Sequence, residues 1–268
     1  MNQPLILITN DDGVKSPGLW AVIESVMDLG ELLVVAPVNQ QTSMGRSFPK
    51  GPDVGIIEKT SLLINGAEVK VYGVCGSPAL AVSHGVLEFC DRKPDLCISG
   101  INYGENLGLS ITCSGTVGAA FEADSHGIPS IAVSRQVDLN LQHSDEFADL
   151  DWTSCKFFLR KIVKEVLRSG FPSNVSILNI NFPESVDEHT EVRITRQCRH
   201  NYSAFIRPEP RDLSKGYKLK SKMNLVMSDI DRDSDIYAIA FDKVISITPL
   251  TWDLSMNVEN LKGSLYEK

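Results

Sequence analysis

Short apolar runs alternate along this chain with segments that are apolar at helical spacing. Residues 4–9 (PLILIT) form a nearly continuous apolar run, the pattern of a strand covered on both faces. The run ends in two adjacent carboxylates and a glycine, Asp11-Asp12-Gly13. Ser16-Pro17 then reads as an N-cap and first helical position, and Leu19, Trp20, Val22, Ile23 and Val26 recur at helical spacing as far as Gly30. Residues 32–36 (LLVVA) predict a second buried strand, and Ser77-Pro78 repeats the cap-and-proline start for a helix running to about Phe89. Residues 95–99 (DLCIS) predict a strand, 114–125 a helix and 130–134 (SIAVS) another strand. Cys155, Phe158, Ile162 and Val166 mark one stripe of an amphipathic helix from about Asp151 to Ser169, and 176–182 (SILNINF) closes the series as a strand.

Strand and helix alternating with short connections are the signature of a parallel sheet with helices on both faces. The expected class is therefore α/β, a three-layer α/β/α core with a mostly parallel sheet. Beyond about Glu191 the texture changes: EVRITRQCR, KGYKLKSKM and KVISITPL are alternating, more polar, strand-like segments around an acidic run, SDIDRDSD. They predict an antiparallel C-terminal extension of β-hairpins with an arm, a device by which oligomers reach a neighbour. The expected division is a catalytic core over 1–190 and an extension over 191–268, the latter an oligomerisation arm or extra hairpins on the chain's own surface. Segments 37–70 and 200–235, rich in proline, glycine and polar residues, read as flexible loops.

Composition narrows the partners. A net charge of −8 and a pI near 5.2 argue against a nucleic-acid polymer or an anionic membrane. A small phosphorylated substrate stays open, because a bound cation can override the global sign locally. The six cysteines (75, 90, 97, 113, 155 and 198) show no CxxC and no finger spacing, and read as reduced, mostly buried thiols of a cytoplasmic protein. No targeting segment is visible, and no run approaches the roughly 18 apolar residues of a membrane span.

In open parallel sheets, ligands bind outside the carboxyl ends of the strands. After the first strand come Asp11 and Asp12; after the second, a hydroxyl-rich loop with Ser43; after DLCIS, a loop with Asn102 and Asn106. All of these are hard oxygen donors, which suit Mg²⁺, Mn²⁺ or Ca²⁺ and disfavour zinc. Two acids before a glycine, taken alone, also describe a solvated turn; three coincident strand ends favour a metal site. Ser114-Gly115-Thr116 opens a helix with small residues, so its free N–H groups and dipole form a ready anion site, unless Ser114 is a plain N-cap with glycine for close packing. There is no Walker loop and no GxGxxG after the first strand. A hard cation facing an anion-binding helix start suggests phosphate-ester chemistry.

These residues carry a resemblance. NDDG at 10–13 followed by Gly18, the AP loop with Ser43, SGIN and GENLG across 99–108, and SGTVGAA at 114–120 together resemble the SurE survival-protein family. TRQ at 195–197, Asp233, Asp235 and SITPL at 246–250 extend the likeness over nearly the whole chain. The resemblance implies a Rossmann-like core and a metal-dependent acid phosphatase hydrolysing nucleoside 5′- and 3′-monophosphates. It implies one divalent cation per subunit, Mg²⁺ or Mn²⁺, whose ligands correspond to Asp11, Asp12, Ser43 and Asn102. Asp11, Asp12 and Asn102 would be the catalytic residues, and Asn106, Ser114, Gly115 and Thr116 match residues around the phosphate. It also implies homodimers or homotetramers built by exchange of C-terminal elements. One departure is the AFDKVI before SITPL, where the family usually has a glycine and a slightly shorter spacing.

Other residues invite blander readings. His84 and His126 read as packing or surface residues, and His143, His189 and His200 have no partner at ligand spacing. Cys113 reads as a buried space-filling thiol, the acidic run as a solvated turn, and Arg196, Arg199 and Tyr202 as possible nucleotide contacts. Two alternatives remain open: a non-catalytic nucleotide- or anion-binding protein, and a receiver-like Mg²⁺-binding regulator. The receiver would need a phosphoacceptor aspartate where this chain has Asn102. A covalent phosphoaspartate is disfavoured, because that chemistry wants acids two apart and here they are adjacent.

Overall fold

A computed structural model of the chain describes residues 3–138 and 147–255. The expectation for His143 lies outside the described residues. The apolar runs become the central strands β1 (Leu5–Thr9), β2 (Glu31–Pro37), β5 (Leu96–Tyr103), β6 (Ser130–Arg135) and β7 (Ile177–Phe182). With β3 (Ile57–Ile64), β4 (Ala67–Val74), β8 (Val192–Ile194) and β11 (Ile245–Leu250) they form a nine-stranded sheet in the order β3-β4-β2-β1-β5-β6-β7-β11-β8. From β4 to β7 all pairings are parallel. A separate antiparallel pair joins β9 (Ser203–Phe205) and β10 (Ser221–Met223).

Helices cover both faces, because β1 is apolar on both. Ile6 and Ile8 pack with Leu19 and Val22 of α1 (Pro17–Val26) and with Cys155 and Phe158 of α4 (Thr153–Ser169). Leu5 and Leu7 point the other way, to Val82 of α2 (Pro78–Glu88) and to Ala119 and Ala123 of α3 (Gly115–Ser125). Fully burying each such aliphatic side chain contributes about 1.5–3 kcal/mol. The two cap-and-proline starts form as the sequence predicts: Ser16 Oγ accepts from Gly18 N at 3.2 Å and Ser77 Oγ from Leu80 N at 3.1 Å. The result is the expected three-layer α/β/α fold with a mostly parallel sheet.

Four expectations are corrected. The stretch 37–70 is not all loop: β3 and β4 form an antiparallel hairpin, and β4 carries the parallel sheet past β2. The turn is Asn65-Gly66, both at left-handed φ (49° and 80°), which suits the twist of two-residue hairpins. In the C-terminal extension β11 is antiparallel to β7, but β8 runs parallel to β11. Cys113 is exposed, its thiol directed to the Ser110 carbonyl at 3.2 Å, because the turn Gly108–Cys113 lifts it off the helix it precedes. The acidic run is a surface turn at Asp231 and Asp233, but Asp235 is fully buried. Its oxygens accept the Gly108 and Cys198 N–H groups, both at 2.9 Å, so the extension is fastened to the loop after β5. The AFDKVI departure is absorbed by a π-helical turn at Ala238–Asp242, and Lys243 adopts the left-handed φ of 55° that usually asks for glycine.

Candidate active site

Along the sheet β1 lies between β2 and β5, while the chain leaves β1 toward one edge and returns through α2 to start β5 on the other side. That reversal opens a crevice at the carboxyl ends of β1 and β5, where such folds place ligands. A cleft of about 310 Å³ occupies it, with Asp11, Ser43, Asn102, Asn106 and Ser114 among its lining residues. Five of the sequence-predicted residues, from four separate segments, therefore meet in one cavity. Asp12, Gly115 and Thr116 stand outside its lining but within the same cluster.

Each side chain is held by a neighbouring element. Thr116 Oγ1 donates to Asp11 Oδ1 at 2.6 Å, so the start of α3 grips the end of β1. Gly115 permits this approach, since a Cβ there would lie 2.8 Å from Asp11 Cβ and Oδ2. Asp12 Oδ2 accepts from Tyr103 N at 3.0 Å and Oδ1 from Gln40 Nε2 at 3.1 Å. The β5–β6 ladder shifts register between Ser99 and Asn102, which re-aims the strand end that carries Asn102. Asn102 Nδ2 donates to the Gly104 carbonyl at 2.6 Å, an assignment that leaves its amide oxygen as the acceptor available for a cation. Ser43 sits at φ 62°, an uncommon backbone state for a non-glycine residue. Ser114 is the N-cap of α3, accepting from Val117 N at 3.1 Å, and it also lines the cleft.

Asn106 is the most tightly held. Its backbone N–H donates to Asn181 Oδ1 at 2.8 Å, and its carbonyl accepts from Asn179 Nδ2 at 2.9 Å and Asn181 Nδ2 at 3.2 Å. Its side chain donates to Ser134 Oγ at 2.8 Å. Asn179 and Asn181 were missed in the sequence, although two asparagines inside the apolar SILNINF run are a signal: both are fully buried, which such residues tolerate only with partners.

Burial pushes the Asp11 carboxyl up to about 6, against the hydrogen bonds from Thr116 that favour its charge. Burial, with the charge of Asp11 beside it, pushes Asp12 up to about 7. Two buried carboxylates that resist ionisation, beside a hydroxyl and an amide oxygen, fit a hard divalent cation, which relieves both penalties. Among the described residues no group of three or more His, Cys, Asp and Glu side chains is placed to hold a metal ion. His84 pairs with Glu88 and His126 with Glu122, both away from the cleft. Tyr202 does line it, with Asn201, Ser203, Phe205 and Leu109. Neither Arg196 nor Arg199 is among its lining residues.

A family profile described as Survival protein SurE matches residues 6–204. The chain belongs to the SurE family. A relative called 5′-nucleotidase SurE from Methanocella arvoryzae is 40% identical over 258 residues, covering 93% of this chain and 92% of that protein. Another of the same name, from Thermococcus gammatolerans, is 38% identical and covers 97% and 96%. The crystal structure of the SurE protein from Aquifex aeolicus superposes with a TM-score of 0.74 at 30% identity, covering 98% of this chain and 99% of that one. Among the described residues no helix is long and apolar enough to cross a membrane.

Proposed function

We propose that this SurE-family chain is a metal-dependent phosphatase that hydrolyses nucleoside 5′- and 3′-monophosphates to nucleoside and phosphate. The observation that carries the reading is the convergence of Asp11, Ser43, Asn102, Asn106 and Ser114 on one cleft at the sheet's switch point. Two relatives that bear the name 5′-nucleotidase SurE support the substrate class. Asp11, Asp12, Ser43 and Asn102 would hold one Mg²⁺ or Mn²⁺, which when bound supplies Lewis-acid stabilisation of phosphoryl charge and a more acidic water. The chain's own part is positioning and charge stabilisation. The N-terminus of α3 at Ser114 and Gly115 directs donors at the equatorial phosphoryl oxygens, and Asn106, whose Nδ2 is engaged by Ser134 and Thr116, lines the same part of the cleft. Thr116 orients Asp11 through its hydroxyl. One carboxylate of this pair is placed to accept the proton of the attacking water.

The outer cleft fits a nucleoside. Tyr202 is buried and braced by Gln136 Nε2 on its hydroxyl at 2.8 Å, while Phe205 on β9 offers an open ring. Aromatic walls beyond a phosphate cradle favour an ester with a base to stack. The same extension supports assembly into a homodimer or homotetramer. The deciding experiment measures phosphate release from nucleoside 5′- and 3′-monophosphates with Mn²⁺, with Mg²⁺ and with chelator, beside an Asp11→Asn variant. Turnover that needs metal and falls at least about 100-fold in Asp11→Asn is expected. Turnover that survives chelator, or is untouched by the substitution, sinks the reading.

A further inference from the structure

Glu122 lies two turns along α3 from Ser114, is not among the residues that line the cleft and is 4% exposed. A carboxylate so deeply buried is retained only with partners, and it has three: Arg46 Nε at 2.7 Å, Ser83 Oγ at 2.7 Å and His126 Nε2 at 3.2 Å. Arg46 belongs to the Ser43 loop. Its guanidinium also reaches Ser125 Oγ at 3.3 Å and lies 5.0 Å from the centre of the Trp252 ring. The loop makes two further contacts, one with the turn before α3 and one with α3 itself. Gly45 N donates to the Cys113 carbonyl at 3.0 Å, and a Cβ on Gly118 would lie 2.4 Å from the Gly45 carbonyl group. Ser43, at its left-handed φ of 62°, lies two residues before Gly45 and three before Arg46.

We infer that Glu122 is a positioning residue: through Arg46 it clamps the Ser43 loop to α3 and so sets Ser43 against the Asp11–Ser114 side of the cleft. An ion pair with one partner buried is a poor source of net stability, because the cost of desolvating that partner offsets much of the attraction. What it provides is one fixed geometry, and here that geometry joins the loop of one strand end to the helix that begins the phosphate cradle. This rests on the reading of the cleft given above.

The test compares wild type with Glu122→Ala, Glu122→Gln and Arg46→Ala. Mn²⁺ affinity is read by calorimetry, KM and kcat on a nucleoside monophosphate, and Tm in chelator. Substitutions of groups that orient a metal's ligands typically cost 10–100-fold in affinity, so Mn²⁺ binding is expected to weaken by about 10-fold or more in Glu122→Ala and in Arg46→Ala. Glu122→Gln, which keeps an acceptor for Ser83 but loses the charge, falls between. The Glu122→Ala/Arg46→Ala double variant is expected to be little worse than either single change, as for two members of one clamp. A lower Tm in chelator with Mn²⁺ affinity and kcat within twofold of wild type means scaffold only, and overturns the inference. Should Glu122→Ala fail to fold, Arg46→Ala decides, because that side chain is 40% exposed. A wild type that binds no Mn²⁺ and releases no phosphate instead sinks the functional reading, and this inference with it.

Discussion

At Asp12, burial and the neighbouring charge of Asp11 both oppose ionisation, whereas at Asp11 burial outweighs the hydrogen bonds that favour it. Both folded-state values, about 7 and about 6, lie above the 3.8 of an exposed aspartate. The folded chain therefore holds protons that the unfolded chain has released. Linkage then fixes the sign: the metal-free protein is most stable below about pH 4 with respect to these groups, and loses that stability as pH rises through 6 to 7. Thermal melts in chelator should show Tm falling across this window, Asp12→Asn should flatten the fall, and Mn²⁺ should restore Tm most at the alkaline end. A flat profile in chelator contradicts the assignment. Phe205 carries a second expectation at this scale. Its ring is 73% exposed at the rim of the cleft. Base–aromatic stacking contributes about 1–3 kcal/mol, so Phe205→Ala should raise KM for nucleoside monophosphates by about 5-fold or more. The KM for glycerol phosphate, which has no base, should not move. Equal effects on both esters would remove Phe205 from base recognition.

The elements that build the cleft were legible because β1, β2, β5, β6 and β7 are short, mostly apolar runs buried along nearly their whole length, so periodicity and punctuation place them. The hairpin of β3 and β4 was not, since β3 is an edge strand with mostly exposed side chains and its segment looks polar. The asparagine-glycine pair at 65–66 was the available signal. At the site, the strand-end donors were readable from position, whereas their supports were not. Gln40, Tyr103, Asn179 and Asn181 act through hydrogen bonds between segments far apart in sequence. Glu122 likewise reads in sequence as one acid on a helix. The contact of α3 with the Ser43 loop gives this scale its own test. A methyl on Gly118 meets backbone at 2.4 Å, not a flexible side chain, so the loop must move away. Overpacking of this kind costs about 1–3 kcal/mol. Gly118→Ala should lower Tm by several degrees and cut kcat by more than its loss of folded protein accounts for. A variant with wild-type Tm and kcat would mean that the loop yields freely and that its position is not set by α3.

Across the whole molecule, the C-terminal extension both closes the core and leaves it unfinished. Strand β11 pairs with β7, and Asp235 binds the Gly108 and Cys198 N–H groups, so 230–250 is tied to the loop that presents Asn106. Between β9 and β10 the chain behaves differently: residues 209–220 are exposed throughout, with Leu213 at 82% and Leu219 at 46%. Among the described residues nothing covers these side chains. An exposed arm that carries Leu213, Tyr217 and Leu219 uncovered and is rooted beside the candidate cleft is the form expected of a segment that packs on another subunit. Light scattering on the full chain should therefore report a dimer or tetramer. Leu213→Glu combined with Leu219→Glu, which places charges where a partner's surface would have to desolvate them, should shift the mass toward the monomer. Both positions lie outside the cleft lining, so activity per folded chain should survive unless the arm's root, with Tyr202 and Phe205, needs the partner to hold its shape. An unchanged mass in the double variant would mean that the arm is not the assembly contact. A monomeric wild type would dismiss assembly altogether while leaving the cleft chemistry standing.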